Sequence, residues 1–299
     1  MTTNISQFEV ADISRPLSGA ERQARYRATH GSANEIRTRY RRRNSKWETD
    51  ASYLSRPIVA YDGEGITVDG THLYTSLAAM NNVDGRYEAT HDARGLSTAE
   101  CLEFLLANAI PKAIHVVYGG SYDVNMMLRD FKRWQVARVY RNPSFTWNGY
   151  RLAWRTGKSL TDTHVETKRS MILYDVMPFF QCPFVKACDD YLGDRFVERD
   201  AIVAGKAMRG SFTASDNVDD YNKAELQNLL LLVAELRERL NKVGLRPKRW
   251  DGPGAIAAAL LQRENVKDAL AETPPAIARA SRYAYAGGRF ETIKFGVWT

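Results

Sequence analysis

The residues best suited to chemistry in this chain are carboxylates placed where apolar runs end. In "VAYDGEGITV", Val59 to Val68, Asp62 and Glu64 flank Gly63. On a strand, positions i and i+2 point to one face, so the two carboxylates converge, and the glycine leaves the edge between them open. Two like charges meeting with no basic neighbour in sequence destabilise one another, which makes a divalent cation the natural third member. A D-G-E-G surface turn is the plainer alternative.

A third acid, Asp123, stands in "VVYGGSYDVNMML", where a buried strand hands over to a helix. Such junctions at the carboxyl edge of a sheet are where α/β proteins place ligand groups, although an acid in a first helical turn also complements the macrodipole. A fourth, Glu225, lies in "DDYNKAELQNLLLLVAELRERL" four residues after Tyr221, on a helix face continued by Leu229, Leu232 and Leu236. That face points to the core, where a carboxylate needs a cation or hydrogen bonds; Lys223, Gln227, Arg237 and Glu238 are left to face solvent.

The elements that must position these acids are legible around them. Ile58 to Tyr61 and His72 to Ala78 read as strands joined by the Gly-rich turn "GITVDG". A helix follows from Ser97 to Ala109, with Ser97 as its cap and Glu100 completing a capping box, and Pro111 closes it. "AIHVVY", Ala113 to Tyr118, is a buried β-branched strand that breaks at Gly119-Gly120 into a helix from Tyr122 to Arg133. Arg138 to Arg155 alternates polar and apolar residues, with Asn148-Gly149 as a hairpin turn. "RSMILYDV" reads as a strand and "PFFQCPFVKACDDYLG" as a helix ending at Gly193; a long helix spans Asp216 to Val243 and a shorter one Ala255 to Gln262. Strands first, then helices between strands, imply an α/β protein with a mixed sheet, without internal repeats.

Of the 299 residues, 44% are hydrophobic and 11% aromatic, which excludes a disordered chain. Three scattered cysteines, Cys101, Cys182 and Cys188, form no disulfide framework or C-x-x-C zinc pattern. The longest apolar stretch, Leu229 to Ala234, is too short for a bilayer, and the polar start lacks the apolar centre of a signal peptide, so a cytoplasmic protein is expected. The histidines His72, His91, His115 and His164 show no ligand spacing, and His115 reads as a core or sheet-edge residue.

The net charge of +7 is concentrated: Arg15 to Lys46 holds ten basic residues against two acidic ones. This arm interleaves Tyr26, Tyr40 and Trp47 with arginines, among them Arg41, Arg42 and Arg43, a mixture suited to phosphate contact and base stacking and equally consistent with a solvated tail. His30-Gly31-Ser32 divides it into two short helices.

An acidic pair on a strand, an Asp at a later strand-to-helix junction and Tyr-x-x-x-acid on a late helix, in this order, resemble the proofreading 3′→5′ exonucleases of the RNase H-like fold. The likeness is specifically to the exonuclease domain of family B DNA polymerases of phages, linear plasmids and other protein-primed systems. It implies a two-metal hydrolysis in which Asp62, Glu64, Asp123 and Glu225 hold two Mg²⁺ or Mn²⁺ ions, one generating hydroxide and the other stabilising the leaving 3′ oxygen, with Tyr221 orienting the attacking water. In "GKAMRGSF", Lys206 precedes Tyr221 much as these enzymes place a lysine that stabilises charge on the scissile phosphate. "YAGGRFE", Tyr285 to Glu291, is similar to the Y-x-G-G segment that joins exonuclease and polymerase regions. The resemblance assigns DNA contact to Tyr122, Tyr285, Gly287, Gly288 and Arg289.

Two departures stand out. The asparagine usual before the Asp of the second motif is replaced by Gly119 and Tyr118, and the third motif ends in Glu225 rather than Asp. Polymerase palm motifs are absent, since "LTDTH", Leu160 to His164, has a single acid and ends a hairpin strand. Asp175 in "ILYDVMPFF" matches no motif and reads as structural. The expected organisation is a basic arm over residues 1–55, an RNase H-like exonuclease domain over 56–245, and a segment over 246–299 that leads into a polymerase domain. Single-stranded or frayed DNA 3′ ends are the expected partner, together with a separate polymerase polypeptide if the enzyme is split. The second reading is a catalytically weak module for DNA binding or docking.

Overall fold

In the computed structural model the described residues are 50–141, 144–208, 218–271 and 273–284. The basic arm with Arg41, Arg42 and Arg43, and the segment with Tyr285, Gly287, Gly288 and Arg289, lie outside them.

A short helix α1 (Asp50–Leu54) leads into β1 (Ile58–Val68), β2 (Thr71–Asn81) and β3 (Tyr87–His91), then α2 (Thr98–Ala107), β4 (Ile114–Val117), α3 (Ser121–Met127) and α4 (Arg133–Arg141). The hairpin strands β5 (Phe145–Trp147) and β6 (Tyr150–Arg155) are followed by β7 (Ser159–His164) and β8 (Ser170–Asp175). Helices α5 (Met177–Phe180), α6 (Phe184–Leu192), α7 (Arg199–Met208), α8 (Asp219–Lys242), α9 (Pro253–Arg263), α10 (Val266–Ala271) and α11 (Pro275–Ala284) complete the chain.

The eight strands form one sheet in the order β3-β2-β1-β4-β8-β7-β6-β5. β1 runs antiparallel to β2 and parallel to β4, which is parallel to β8, whereas β5 to β8 pair antiparallel. This mixed α/β sheet is the expected class, with β1 lying between antiparallel β2 and parallel β4.

Alternation along the strands divides the core in two. Ile58 and Ala60 of β1, with Ile114 and Val116 of β4, bury against α6 and α8 on one face. Val59, Tyr61, Leu77 and Leu173 bury against α2 and α3 on the other. Burying a large aliphatic side chain contributes about 1.5–3 kcal/mol, so both faces resist a one-residue slip of register, which would exchange them.

Several local expectations hold. Ser97 accepts a hydrogen bond from the Glu100 amide and Glu100 accepts one from the Ser97 amide, the reciprocal capping box. Asn148 and Gly149 both take positive φ, as the tight turn of a two-residue hairpin requires. His115 is a core residue, its Nε2 accepting from the Ile110 amide, and burial lowers its pKa to about 4.

Others need correction. Ile66 to Val68 belong to β1 and the turn is Asp69-Gly70 alone, both at positive φ. Arg138 to Arg141 are helical, because Val136 and Val139 of α4 pack onto the second core while the Tyr140 ring meets Trp154 at a tilt. The expected single helix after Asp175 is broken where Gln181 turns left-handed ahead of Pro183. "LTDTH" is a full internal strand rather than a strand end. Arg237 is buried instead of solvent-facing, and its Nη1 donates to the Arg56 carbonyl at 2.6 Å. Strand β3 and helix α7 were not expected.

Candidate active site

The acid-bearing part of β1 lies under the first turns of α8. Asp62 and Glu64 project from the same face of β1 towards Glu225, and one carboxylate oxygen from each of the three lies within 4.8 Å of the other two. Glu64 and Glu225 are buried and Asp62 is partly exposed, so Asp62 forms the open side of the cluster. A β-bulge between Glu64 and Gly65 shifts the register with β2 immediately after the second acid. Bulges of this kind re-aim side chains and are frequent beside active sites.

Asp123 arrives from the first turn of α3 and is buried; its Oδ1 accepts a hydrogen bond from the Tyr74 hydroxyl at 3.0 Å. Asp62, Asp123, Glu225 and Lys206 line one cavity of about 290 Å³, walled further by Tyr118, Tyr122, Met177 and Phe184. The carboxylates therefore share this cavity with aromatic and apolar side chains.

Lys206, on α7, makes an ion pair with Glu225 and holds its ammonium 5.1 Å from the centre of the Phe184 ring. The acids are thus not without a protein cation, contrary to the expectation for this cluster. Tyr221 lies one turn ahead of Glu225, but its ring packs against Gly205 of α7, where a Cβ would fall 2.2 Å from Tyr221 Cδ2, and it is not on the cavity wall. Asp219 is turned away, pairing with His91 and accepting from the Tyr87 hydroxyl.

Sequence reasoning missed Tyr74, Tyr118, Met177, Phe184 and His72 as parts of this site. His72 Nε2 meets the Tyr122 hydroxyl at 2.6 Å and its Nδ1 meets Thr67 Oγ1 at 3.1 Å, which ties the cavity-lining Tyr122 to the β1–β2 hairpin. Asp175 has the structural role read for it: its Oδ1 accepts from the Gly119 and Met177 amides, joining β8 to the loop that leads into α3 and Asp123. Burial pushes its carboxyl upward in pKa, and those amides offset only part of the effect. Burial, with the nearby Glu225 charge, pushes the Cys188 thiol up to about 12, so thiolate chemistry beside the cavity is disfavoured.

Gly63 between the acids is required by space. A Cβ there would lie 1.8 Å from the Tyr74 hydroxyl, which crosses Gly63 to reach Asp123. Gly63→Ala is expected to dislodge Tyr74, lower stability by about 1–3 kcal/mol and cut any activity of the site by about 10–100-fold through misplacement of Asp123. Thermal melting and turnover of the variant check both, and an unchanged turnover would remove Tyr74 from the positioning of Asp123.

As a donor set, three convergent carboxylates with a fourth on the same cavity offer hard oxygen ligands to divalent cations. Asp62, Glu64 and Glu225 fit one such ion, and Asp123 lines the same cavity as Asp62 and Glu225.

No protein-family model and no curated protein matches the sequence. Among solved structures, phi29 DNA polymerase complexed with primer-template DNA and incoming nucleotides aligns over 78% of this chain at 14% identity and a TM-score of 0.47. The same polymerase complexed with single-stranded DNA aligns over 78% at 15% identity and a TM-score of 0.46. The EXO domain of Nibbler from Aedes aegypti aligns over 71% of this chain and 89% of its own, at 11% identity and a TM-score of 0.38. The matched region spans 39% and 40% of the length of the two polymerase chains.

Proposed function

We propose that this chain is a metal-dependent nuclease that removes nucleotides from the 3′ ends of single-stranded or frayed DNA. The observation that carries this reading is the convergence of Asp62, Glu64 and Glu225 from opposite ends of the domain sequence, with Asp123 on the same open cavity. Holding three carboxylates, two of them buried, within 4.8 Å of one another is costly unless cations compensate it.

In this reading Asp62, Glu64, Asp123 and Glu225 hold two Mg²⁺ or Mn²⁺ ions, which supply Lewis acidity and lower the pKa of water. The chain's own groups do the rest. Tyr118, Tyr122, Met177 and Phe184 offer planar or apolar surface to the terminal bases, and base stacking on aromatic rings is worth about 1–3 kcal/mol per base. Lys206 places positive charge where the scissile phosphate would enter, favouring the extra negative charge of the transition state. Water attacks phosphorus, the bond to the 3′ oxygen of the penultimate nucleotide breaks, and that oxygen leaves to become the new 3′ hydroxyl, releasing a nucleoside 5′-monophosphate. Tyr221 is proposed to orient the attacking water, which requires its ring to leave Gly205.

The test is incubation of 5′-labelled single-stranded DNA with the protein and Mg²⁺ or Mn²⁺, beside a chelator control. A ladder shortening from the 3′ end and abolished by the chelator is expected.

The Lys206–Glu225 ion pair favours a second reading, because it partly satisfies the acidic cluster without metal. In that case the chain is a DNA-binding or docking module of a split polymerase, and DNA binding survives chelation while no nucleotide is released. A separate polymerase polypeptide as partner is part of the same proposal.

A further inference from the structure

The outer part of the sheet carries a charge bias that the acidic cavity does not use. From Phe131 to Leu160 the sequence holds seven basic residues and no acidic one. Strand alternation sorts those on β6. Tyr150, Leu152 and Trp154 turn to the core shared with α2 and α4, leaving Arg151 and Arg155 exposed on the other face. Lys158 is exposed in the turn that joins β6 to β7.

Pairing across the strands shows which face this is. Arg155 lies opposite Ser159, Ser159 opposite Tyr174, Tyr174 opposite Val116, and Val116 opposite Ala60. Directly paired residues share a face, and so do Ala60 and Asp62 two positions apart. The arginines therefore stand on the sheet face that bears the acid pair.

Hydrogen bonds through Asp175 link this surface to the cavity. The Lys158 carbonyl accepts a hydrogen bond from the Asp175 amide at 2.9 Å, and the Asp175 carboxylate accepts from Gly119 and Met177, which line the cavity. Beside the arginines the exposed Thr146 lies opposite Arg151 and adds a hydroxyl to the surface. Exposed guanidinium, ammonium and hydroxyl donors are the groups that contact phosphodiester backbones.

We propose that Arg151, Arg155 and Lys158 form a binding surface for the phosphate backbone of a nucleic acid strand whose end reaches the acidic cavity. Placing the strand's end in the cavity rests on the nuclease reading; the binding of the backbone does not. A duplex or single strand lying across β6 and β7 is guided to the rim at Gly119 by the β6–β7 turn.

The experiment measures binding of a labelled single-stranded DNA oligonucleotide to the full chain in chelator, over a range of salt concentrations. The triple variant Arg151→Ala/Arg155→Ala/Lys158→Ala is expected to bind about tenfold or more weakly at low salt, and the slope of log K against log salt to fall by about 2, since each phosphate contact contributes about 0.7 on single strands. The double variant Arg151→Lys/Arg155→Lys keeps the charge and is expected to retain the slope, which separates loss of contact from loss of fold. Unchanged affinity and slope in the triple variant overturn the proposal, as does a loss confined to vesicles containing phosphatidylserine with DNA binding intact. A wild-type chain that binds with the steeper slope yet releases no nucleotide in Mg²⁺ leaves this surface standing and removes the nuclease reading instead.

Discussion

Asp62→Ala is expected to lower nucleotide release by about three orders of magnitude, the consequence of losing roughly 4 kcal/mol of transition-state stabilisation. Asp62 is the partly exposed member of the acidic cluster and faces the cavity with Asp123 and Glu225. The same substitution is expected to leave the metal-free protein as stable as the wild type or to raise its stability by about 1 kcal/mol, because one of three carboxylates within 4.8 Å is removed. A site kept for function and opposed by its own repulsion responds in this paired way. Release rates measured beside melting in chelator read both arms. Undiminished release, or a destabilisation of several kcal/mol with release lost only through unfolding, would sink the assignment of Asp62 as a ligand.

The second large effect concerns Asp162, in the middle of β7 between Leu152 of β6 and Met171 of β8. It is fully buried, and neither carboxylate oxygen meets a donor at hydrogen-bonding geometry among the described residues. Burial first, and the Glu103 charge second, push its pKa up to about 8, while the Thr163 amide and the Arg169 charge offset part of this. The folded chain therefore holds a proton that the unfolded chain releases near its ordinary value of 3.8. Stability is unaffected by this group below that value and falls as pH rises from there to about 8, at about 1.4 kcal/mol per pH unit at most. Asp162→Asn removes the titration, at the expense of burying an amide whose unmet hydrogen bonds cost about 1–3 kcal/mol. The variant is expected to melt several degrees above the wild type at pH 8 and no higher at pH 4, with a flatter dependence between. Parallel melting curves across that range would show that Asp162 is ionised in the folded chain.

Asp162 also marks where a local reading stops. In "LTDTH" the residue looks like the polar end of a hairpin strand, and only the addition of β7 between β6 and β8 buries it. Arg237 is a similar case: helical spacing leaves it on the outer side of α8, yet the Arg56 carbonyl, far away in sequence, accepts its hydrogen bond. The break between α5 and α6 was signalled by Pro183, but the apolar run on either side masked it.

What the sequence determined by itself was what depends on neighbours along the chain. Period-two alternation put Asp62 and Glu64 on one face of β1, and period 3.6 put Glu225 in line with Leu229, Leu232 and Leu236 on the buried side of α8. The capping box at Ser97 and the turn at Asn148-Gly149 depend on bonds and φ angles within a few residues, so they too were legible. Tertiary structure alone decided the convergence of β1 and α8 that brings Glu225 to Asp62 and Glu64, the pairing of Lys206 with Glu225, and the reach of Tyr74 across Gly63 to Asp123. These distances follow from how two packed cores orient helices over a sheet. Close packing is a cooperative property of side chains remote in sequence, and no local period encodes it.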